Sequence, residues 1–338
     1  MFPLSLYDRP QPNTFIFAFI FIIGDSISPK YPDITLHKSR QLPDWSTQVP
    51  NVLSDTLRGG PLPAVFDQSK GSSHTEARVG PGVAWPGRLD PSLATAFCGS
   101  TSSLGWYWNW APSPRRITLA GNAKLAGSAG PPGQFVAMIY NDGTDTSAIP
   151  GDSPIMGFNE PDGCEAGTQG CMSADMNAIV DQWIKKAVPF LRKGRSVGSP
   201  APAGNTVDWL TRFFAACDAR QDCVRPTFIT MHAYVSTVQA LKDYVTSVHR
   251  AFGLPIWLTE FTCHSFGGQS QPTTQQQVHD FMGASTKWLD DQPFIQRYSW
   301  FGAGQKQDMF AVNDFCRLQR DDGSLTALGW QYTYNRHD

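Results

Sequence analysis

The stretch "PIMGFNEPD", residues 154–162, is an apolar run that ends abruptly in an amide, a carboxylate and a proline. A continuous apolar run of this length is typical of a strand that is buried on both faces, as in a parallel sheet. Pro161 has no N–H to donate to a sheet ladder, so we expect the strand to end there. The stretch therefore predicts that Asn159 and Glu160 lie at the carboxyl end of a buried strand.

Segments with helical spacing follow several of the apolar runs. In "SADMNAIVDQWIKKAVPFLRKG", residues 173–194, Ser173 is predicted to cap the helix, and one face carries Met176, Ile179, Val180, Trp183 and Ala187. In "TTQQQVHDFMGASTKWLD", residues 273–290, one face carries Val278, Phe281, Met282 and Trp288. Apolar strands that alternate with helices predict an α/β fold with a parallel sheet covered by helices.

Eight apolar runs recur along the chain, at 82–87, 104–112, 134–142, 154–162, 196–204, 227–234, 255–261 and 297–303. Eight repeats over roughly 260 residues match the size of a (β/α)₈ TIM barrel. We therefore predict a single (β/α)₈ barrel domain over residues 79–337.

A doubly wound nucleotide-binding sheet is the main alternative to the barrel. The stretch "GPGVAW", residues 80–85, has the first two glycines of a dinucleotide-binding turn, but Trp85 stands where the third glycine belongs. The sequence also lacks the phosphate-binding P-loop, the zinc-protease HExxH motif and the GxSxG serine elbow. We predict no cofactor.

The first 78 residues differ in character from the rest. The run "TFIFAFIFII", residues 14–23, is too short to span a bilayer but has the length of the apolar core of a secretory signal. Residues 1–24 are thus predicted to be a signal peptide or a hydrophobic N-terminal segment, with a buried strand as the alternative. Residues 25–78 are rich in Pro, Ser and Gly, which predicts an irregular, disordered extension.

The amino-acid composition indicates which kind of partner the protein binds. A net charge of −2 provides no basic field for nucleic acid. Eleven Trp and nine Tyr exceed what a core needs, and flat aromatic faces stack on sugar rings. We expect a secreted monomer with no stable membrane span that binds a polysaccharide.

The seven cysteines include two pairs that are close in sequence, Cys164 with Cys171 and Cys217 with Cys223. Each pair is predicted to clip a loop as a disulfide, which fits a secreted protein. The alternative is that several are buried thiols, since a free cysteine packs as a small hydrophobe. No CxxC motif is present, so we predict no metal site.

Catalysis in a TIM barrel takes place at the carboxyl ends of the strands, so the side chains that end the apolar runs are the candidates. Two of them are glutamates: Glu160 ends the fourth run and Glu260 ends the seventh, "PIWLTEF". A buried carboxylate is costly unless it is paired, bonded or used. Paired carboxylates hydrolyse glycosidic bonds, with retention when the carboxyl groups lie about 5 Å apart and inversion at about 6.5–9.5 Å. One of the pair is expected to have a raised pKa.

The motifs "GFNEPD", "VGSPAPA", "FITMHAY", "PIWLTEF", "RYSWFG" and "GSLTALGWQY" occur in this order. Together they resemble the glycoside hydrolase family 128 domain, the Asl1-like glycosyl hydrolase, over residues 79–334. The resemblance implies a secreted endo-β-1,3-glucanase on a (β/α)₈ barrel of the retaining clan. It also implies that Glu160 is the acid/base and Glu260 the nucleophile.

Further roles follow from the resemblance together with the run ends. Asn159 is expected to bind the sugar 2-hydroxyl, and Tyr234 to hold Glu260 ionised by a hydrogen bond. His232 lines the same rim or is a structural histidine. Trp300 is predicted to form the floor under the scissile sugar. The remaining candidates for substrate binding are Trp85, Tyr107, Trp110 and Asn109, for whose rings core packing is the alternative.

Two other functions stay open from the sequence. A glucan-binding barrel without catalysis is one, although both glutamates are present. A retaining hydrolase of mannan, xylan or β-1,4-glucan is the other. The first run, "GVAWPG", also lacks the Asn and Asp that many family members carry shortly after the Trp.

Overall fold

The computed structural model of the chain describes residues 78–86, 91–114, 133–166, 170–267, 270–309, 312–334 and 336–337. These residues belong to one compact unit, Asp44–Asp338. The predicted signal segment, 1–24, and nearly all of the predicted extension, 25–78, lie outside the described residues.

The described strands form parallel pairs only. They are β1 (Gly80–Ala84), β2 (Trp106–Trp108), β3 (Gln134–Phe135), β4 (Ala137–Met138), β5 (Ile155–Met156), β6 (Ile229–Val235), β7 (Ile256–Cys263) and β8 (Ile295–Trp300). A six-stranded sheet has the order β3-β2-β1-β8-β7-β6, and β4 pairs with β5 in a two-stranded sheet. The α/β class with a parallel sheet is confirmed.

Closure into an eight-stranded barrel is not confirmed. The fifth apolar run, 196–204, forms no strand and makes only single parallel bridges, Val197 with Ile155, Gly198 with Phe228 and Ala201 with Asn159. The two sheets are therefore linked by isolated bridges on this side, where the continuous ladder that we predicted is absent.

The helices pack around the strands. They are α1 (Gly163–Ala166), α2 (Met176–Lys186), α3 (Val188–Leu191), α4 (Thr206–Asp218), α5 (Val238–Phe252), α6 (Gln275–Asp291) and α7 (Ala327–Tyr334). The predicted apolar face of α2 is confirmed, since Ile179, Val180 and Trp183 are buried. The predicted cap is wrong: the side chain of Asp175, not Ser173, accepts the N–H of the first turn. A carboxylate two residues nearer the helix meets the first-turn N–H groups directly.

Side chains on the two faces of the strands enter two separate apolar clusters. The inner cluster consists of strand residues and their neighbours: Ala84, Trp106, Trp108, Val136, Met138, Met156, Phe228 and Trp257. The outer cluster joins the other strand face to the helices and includes Val83, Trp85, Ile139 and Trp300. Because strand side chains alternate between faces, neighbouring residues such as Val83 and Ala84 belong to different clusters.

Both predicted disulfides are present, Cys164–Cys171 and Cys217–Cys223. Among the described residues, Cys98, Cys263 and Cys316 are not joined in disulfides. Within the same described ranges, none of the helices combines the length and the apolar character that crossing a membrane requires.

Candidate active site

Glu160 and Glu260 reach one cleft from different elements. Glu160 follows β5, while Glu260 lies within β7. One carboxylate oxygen of each glutamate and one ring nitrogen of His232 all lie within 4.8 Å of one another. The side chain of Glu160 is 17% exposed and that of Glu260 is 6% exposed. The two glutamates, which are a hundred residues apart in the sequence, thus lie close together in space.

The Glu260 carboxylate is held by two donors. The Tyr234 hydroxyl donates to Oε2 at 2.5 Å, and the Trp110 indole N–H donates to Oε1 at 2.9 Å. Burial raises the pKa of Glu260, the charge of Glu160 raises it further, and His232, Tyr234 and Trp110 oppose the rise. The two donors therefore fix the plane of a carboxylate that would otherwise be protonated more readily.

His232 lies between the two glutamates. Its Nδ1 is 3.0 Å from Oε1 of Glu160, and its Nε2 is 3.5 Å from Oε1 of Glu260. The second approach is electrostatic, because Nε2 is buried without a hydrogen-bond partner. Burial lowers the pKa of His232, but the charge of Glu260 and the hydrogen bond to Glu160 outweigh it, so the pKa is raised. Because the imidazole interacts with both carboxylates, a change in the charge of one glutamate affects the other through His232.

The backbone of Glu160 is unusual. Its φ is +44°, a left-handed conformation that side chains with a Cβ rarely adopt. Its N–H donates to the carbonyl of Ala201 at 2.7 Å, and its carbonyl accepts from Gly163 at 2.8 Å. These bonds hold the turn in place and aim the side chain into the cleft.

Gly170 packs against this turn. It adjoins Cys171 of the Cys164–Cys171 disulfide and lies so close to the chain that a Cβ on it would overlap the carbonyl oxygens of Asn159 and Glu160. Only glycine permits this approach. Gly170 therefore covers the backbone of the acid/base candidate from one side.

Trp110 also has a positive φ, +54°. Within the described part of the chain, Trp110 and Glu160 are the non-glycine residues with this property. One carries a carboxylate of the pair and the other donates to its partner Glu260. Backbone strain in this protein is concentrated at the paired carboxylates, as is common at functional sites.

Asn159 and Tyr140 form a polar edge of the cleft. The Tyr140 pKa is raised by burial and then by the charges of Glu160 and Glu260, while a hydrogen bond from the Asn159 side chain lowers it. The Asn159 Oδ1 is buried and has no hydrogen-bond partner. It is thus available to accept from a hydroxyl group in the cleft. Tyr140 ends the third apolar run, and this position is the signal that could have identified it.

The structure corrects the predicted floor of the cleft. Trp300 is fully buried and belongs to the outer cluster, where its indole N–H donates to the carbonyl of Cys316. The next residue, Phe301, instead contacts Trp110 and Tyr234, with ring centroids 6.0 and 5.8 Å away. Phe301 follows the last residue of β8 and belongs to the same cluster as Trp300, but its ring faces the two donors to Glu260. Phe301 is a site residue that the sequence reasoning missed.

The other predicted stacking residues also lie elsewhere. Trp85 is buried in the outer cluster with its ring 6.0 Å from Phe97, so it is not a platform. Tyr107 packs against Phe135 and the same cluster. Asn109 organises its own loop, where its side chain accepts from Ala111 and donates to the carbonyl of Ser113. Trp110 is at the site, but as a donor to Glu260.

Two carboxylates and an imidazole could also hold a divalent metal. Both Glu260 oxygens already accept hydrogen bonds from Tyr234 and Trp110. The Nδ1 of His232 is engaged by Glu160. The donor set fits a hydrogen-bonded proton-transfer site better than a coordination site.

Comparison with known proteins identifies the family of the chain. The profile of the family described as "Glycosyl hydrolase catalytic core" matches residues 82–332. Alkali-sensitive linkage protein 1 of Schizosaccharomyces pombe is 29% identical over 253 residues, which are 74% of this chain and 44% of that protein. The chain therefore spans less than half the length of this curated relative.

Two solved structures illustrate the likeness in three dimensions. A subgroup V exo-β-1,3-glucanase of glycoside hydrolase family 128 from Cryptococcus neoformans is 31% identical, with a TM-score of 0.65 over 76% of this chain and 99% of that one. A subgroup I endo-β-1,3-glucanase from Amycolatopsis mediterranei, in complex with laminarihexaose, is 27% identical, with a TM-score of 0.57 over 75% and 98%. The chain thus belongs to the glycosyl hydrolase catalytic core family and groups with the members of glycoside hydrolase family 128.

Proposed function

We propose that the chain hydrolyses β-1,3-glucan with retention of configuration, with Glu260 as nucleophile and Glu160 as acid/base. The observation that carries the proposal is the approach of the two carboxylates, whose nearest oxygens lie within 4.8 Å. A retaining enzyme needs a separation of about 5 Å, whereas an inverting enzyme needs room for a water molecule between them.

In the first step, a Glu260 oxygen attacks the anomeric carbon and the bond to the glycosidic oxygen breaks. Glu160 donates its proton to that oxygen, and the glucan fragment bearing it leaves. In the second step, Glu160 removes a proton from water, the resulting hydroxide attacks the anomeric carbon, and Glu260 is released as a carboxylate. Each cycle returns the proton to Glu160, so no other reactant is consumed.

The neighbours of each glutamate fit these roles. Tyr234 and Trp110 orient the Glu260 carboxylate through 2.5 and 2.9 Å hydrogen bonds and favour its ionised form. His232, between the glutamates, stabilises the negative charge that passes to Glu160 when it loses its proton. Asn159, with its unpaired Oδ1, would accept from a hydroxyl of the sugar at the cleavage point.

Hydrolysis of laminarin, compared with mannan, xylan and β-1,4-glucan, tests the substrate. We expect reducing sugar from laminarin. Its absence, with release from another polymer, would reassign the substrate, while binding without product would favour a glucan-binding barrel. Proton NMR of the earliest products tests the mechanism, since retention predicts the β-anomer and α-anomer would contradict it.

We expect endo action, that is, cleavage at bonds within the glucan chain. The two structural relatives include both exo and endo enzymes, so product size is the deciding measurement. A ladder of oligosaccharides early in the digestion is expected, and a single small product throughout would indicate exo action.

We also infer that the eight apolar runs form one closed barrel, which is supported by the parallel bridges at Val197 and Gly198. The two disulfides are consistent with an extracellular protein.

A further inference from the structure

A continuous series of aromatic rings extends from Glu260 to the protein surface. Phe301 contacts Trp110 and Tyr234, the two donors to Glu260. Tyr234 in turn contacts Phe266, with ring centroids 5.2 Å apart. We call Trp110, Phe301, Tyr234 and Phe266 the aromatic wall. The wall places one flank of the nucleophile against apolar rings.

The outermost ring of the aromatic wall is exposed. Phe266 is 59% exposed, whereas Phe301 is 6% exposed. The rings of Tyr234 and His264 meet Phe266 at interplanar angles of 60° and 64°, so neither lies flat against it. Among the ring contacts of the described residues none is stacked on Phe266, so an aromatic face is left open beside Tyr234.

The loop that carries Phe266 is held by specific hydrogen bonds. The Ser265 N–H donates to the Gln271 side chain at 3.2 Å, and the Gly267 N–H donates to the Ser265 hydroxyl at 3.2 Å. The His264 Nδ1 accepts from the N–H of Asn313 at 3.2 Å. Because His264, Ser265 and Gly267 on the two sides of Phe266 are held by these hydrogen bonds, the backbone there presents the ring outward.

A pyranose ring is the ligand that this surface fits best. Its axial C–H groups form a flat, uncharged, weakly apolar face that stacks on an aromatic ring. Phe266 itself carries no charge, and burial lowers the pKa of its neighbour His264, which favours the neutral imidazole. The surface is also continuous with the catalytic pair through the hydroxyl of Tyr234.

We propose that Phe266 is the stacking platform for a glucosyl unit of the β-glucan chain next to the unit that is cleaved. This proposal rests on the proposed function. Phe266 packs against Tyr234, which in turn donates to Glu260, so we expect Phe266 to determine how strongly longer glucan chains bind and to leave the chemical step unchanged.

The test compares Phe266→Ala and Phe266→Trp with the unmodified chain on laminari-oligosaccharides of increasing length and on a short aryl β-glucoside. For Phe266→Ala we expect KM to rise about tenfold on the longer chains, with kcat retained and the aryl glucoside unaffected. Phe266→Trp should match or improve on the unmodified chain. Unchanged KM at every length, or an equal loss of kcat on every substrate, would overturn the proposal.

Trp330→Ala is the matched control. Trp330 is 58% exposed on α7, where it packs against Tyr334. The substitution therefore removes a similarly exposed aromatic ring at another place. We expect its kinetics to equal those of the unmodified chain, and a loss equal to that of Phe266→Ala would count against the proposal. Calorimetric titration of laminarihexaose separates the two proposals. If the unmodified chain binds without cleaving, the proposed function fails, yet weaker binding by Phe266→Ala would still support the platform and equal binding would overturn it.

Discussion

Glu260 and Glu160 enter the same cleft from backbones of opposite kinds. Glu260 belongs to the eight-residue strand β7, which is buried throughout, and two side chains donate to its carboxylate. Glu160 follows the two-residue strand β5 in a left-handed turn, beside Gly170. One carboxylate is positioned by two side-chain donors on a regular strand, and the other by a left-handed backbone together with its contact to His232.

The difference matches the demands of the two proposed roles. A nucleophile must keep one orientation and remain ionised, which donors on a rigid strand provide. An acid/base must exchange protons with water in each cycle, and the more exposed Glu160 side chain at the rim permits this. Side-chain changes should therefore disturb Glu260 most, and backbone changes should disturb Glu160.

The largest expected effect is that of Glu260→Gln. An amide of the same shape cannot attack the anomeric carbon, so kcat on laminarin should fall at least about 10³-fold. At neutral pH the variant should be as stable as the unmodified chain or more so. The raised pKa of Glu260 means that the native state disfavours its charge, a cost that grows as pH rises through that pKa and is absent when the group is protonated. Thermal melts at pH 4 and pH 7 check this, and destabilisation at pH 7 alone would contradict it.

Removal of the second carboxylate should have a substrate-dependent effect. Glu160→Ala should lose about 10²- to 10⁴-fold on laminarin but far less on an aryl glucoside whose leaving group needs no proton. Azide should restore turnover of the aryl glucoside and yield a β-glycosyl azide. Asp142→Ala, which removes an exposed carboxylate that ends the third apolar run, is the matched control and should behave as the unmodified chain. Equal losses on both substrates without azide rescue would argue against an acid/base role.

Tyr234→Phe tests the hydrogen bonds to the nucleophile. The hydroxyl lowers the pKa of Glu260, so its loss should raise that pKa and move the acidic limb of the pH–rate profile to higher pH. At neutral pH we expect kcat to fall about 10- to 100-fold, the value of a hydrogen bond to a charged group. Trp110→Phe should shift the limb in the same direction. A fall in kcat with an unmoved limb would refute this electrostatic explanation.

Gly170→Ala should have the smallest effect and addresses the backbone of Glu160. The added methyl group would overlap the carbonyl oxygens of Asn159 and Glu160 and displace the turn. We expect a loss of several-fold on laminarin with little change on an activated aryl glucoside, because proton donation suffers and nucleophilic attack does not. Gly151→Ala is the control, since a Cβ there would meet no atom within 4 Å. Equal losses on both substrates would show that the change acts through the fold in general.

The apolar runs were predictable from the sequence, and with them both glutamates, Tyr234 and His232. The runs mark the buried strands, and parallel strands bring the residues near their carboxyl ends to one edge. The exact strand ends were not predictable, since β6 and β7 continue past the site residues to Val235 and Cys263. The aromatic floor was hidden for the same reason. Trp300 ends β8 and Phe301 follows it, and the apolar run does not mark this boundary. The sequence does not reveal irregularities such as the register shift between Leu258 and Phe261.

The left-handed turns at Trp110 and Glu160 were equally hidden. Glycine usually marks such positions, and neither residue suggests one. The fifth apolar run was expected to form a strand, but its two prolines, Pro200 and Pro202, remove ladder donors, and only single bridges form. At the two left-handed turns tertiary contacts decide the conformation and local composition does not record them, whereas the prolines of the fifth run are visible in the sequence.

The two disulfides have a consequence for how the protein would respond to a reducing environment. They join cysteines only 7 and 6 residues apart, so each removes little entropy from the unfolded chain, about 2–3 kcal/mol in the loop-closure estimate. Reduction should therefore lower the free energy of unfolding by about this amount for each disulfide. It would also release the segment beside Glu160 that carries Gly170. A reductant should thus lower proton donation together with stability, so that catalytic output would report the redox state of the surroundings.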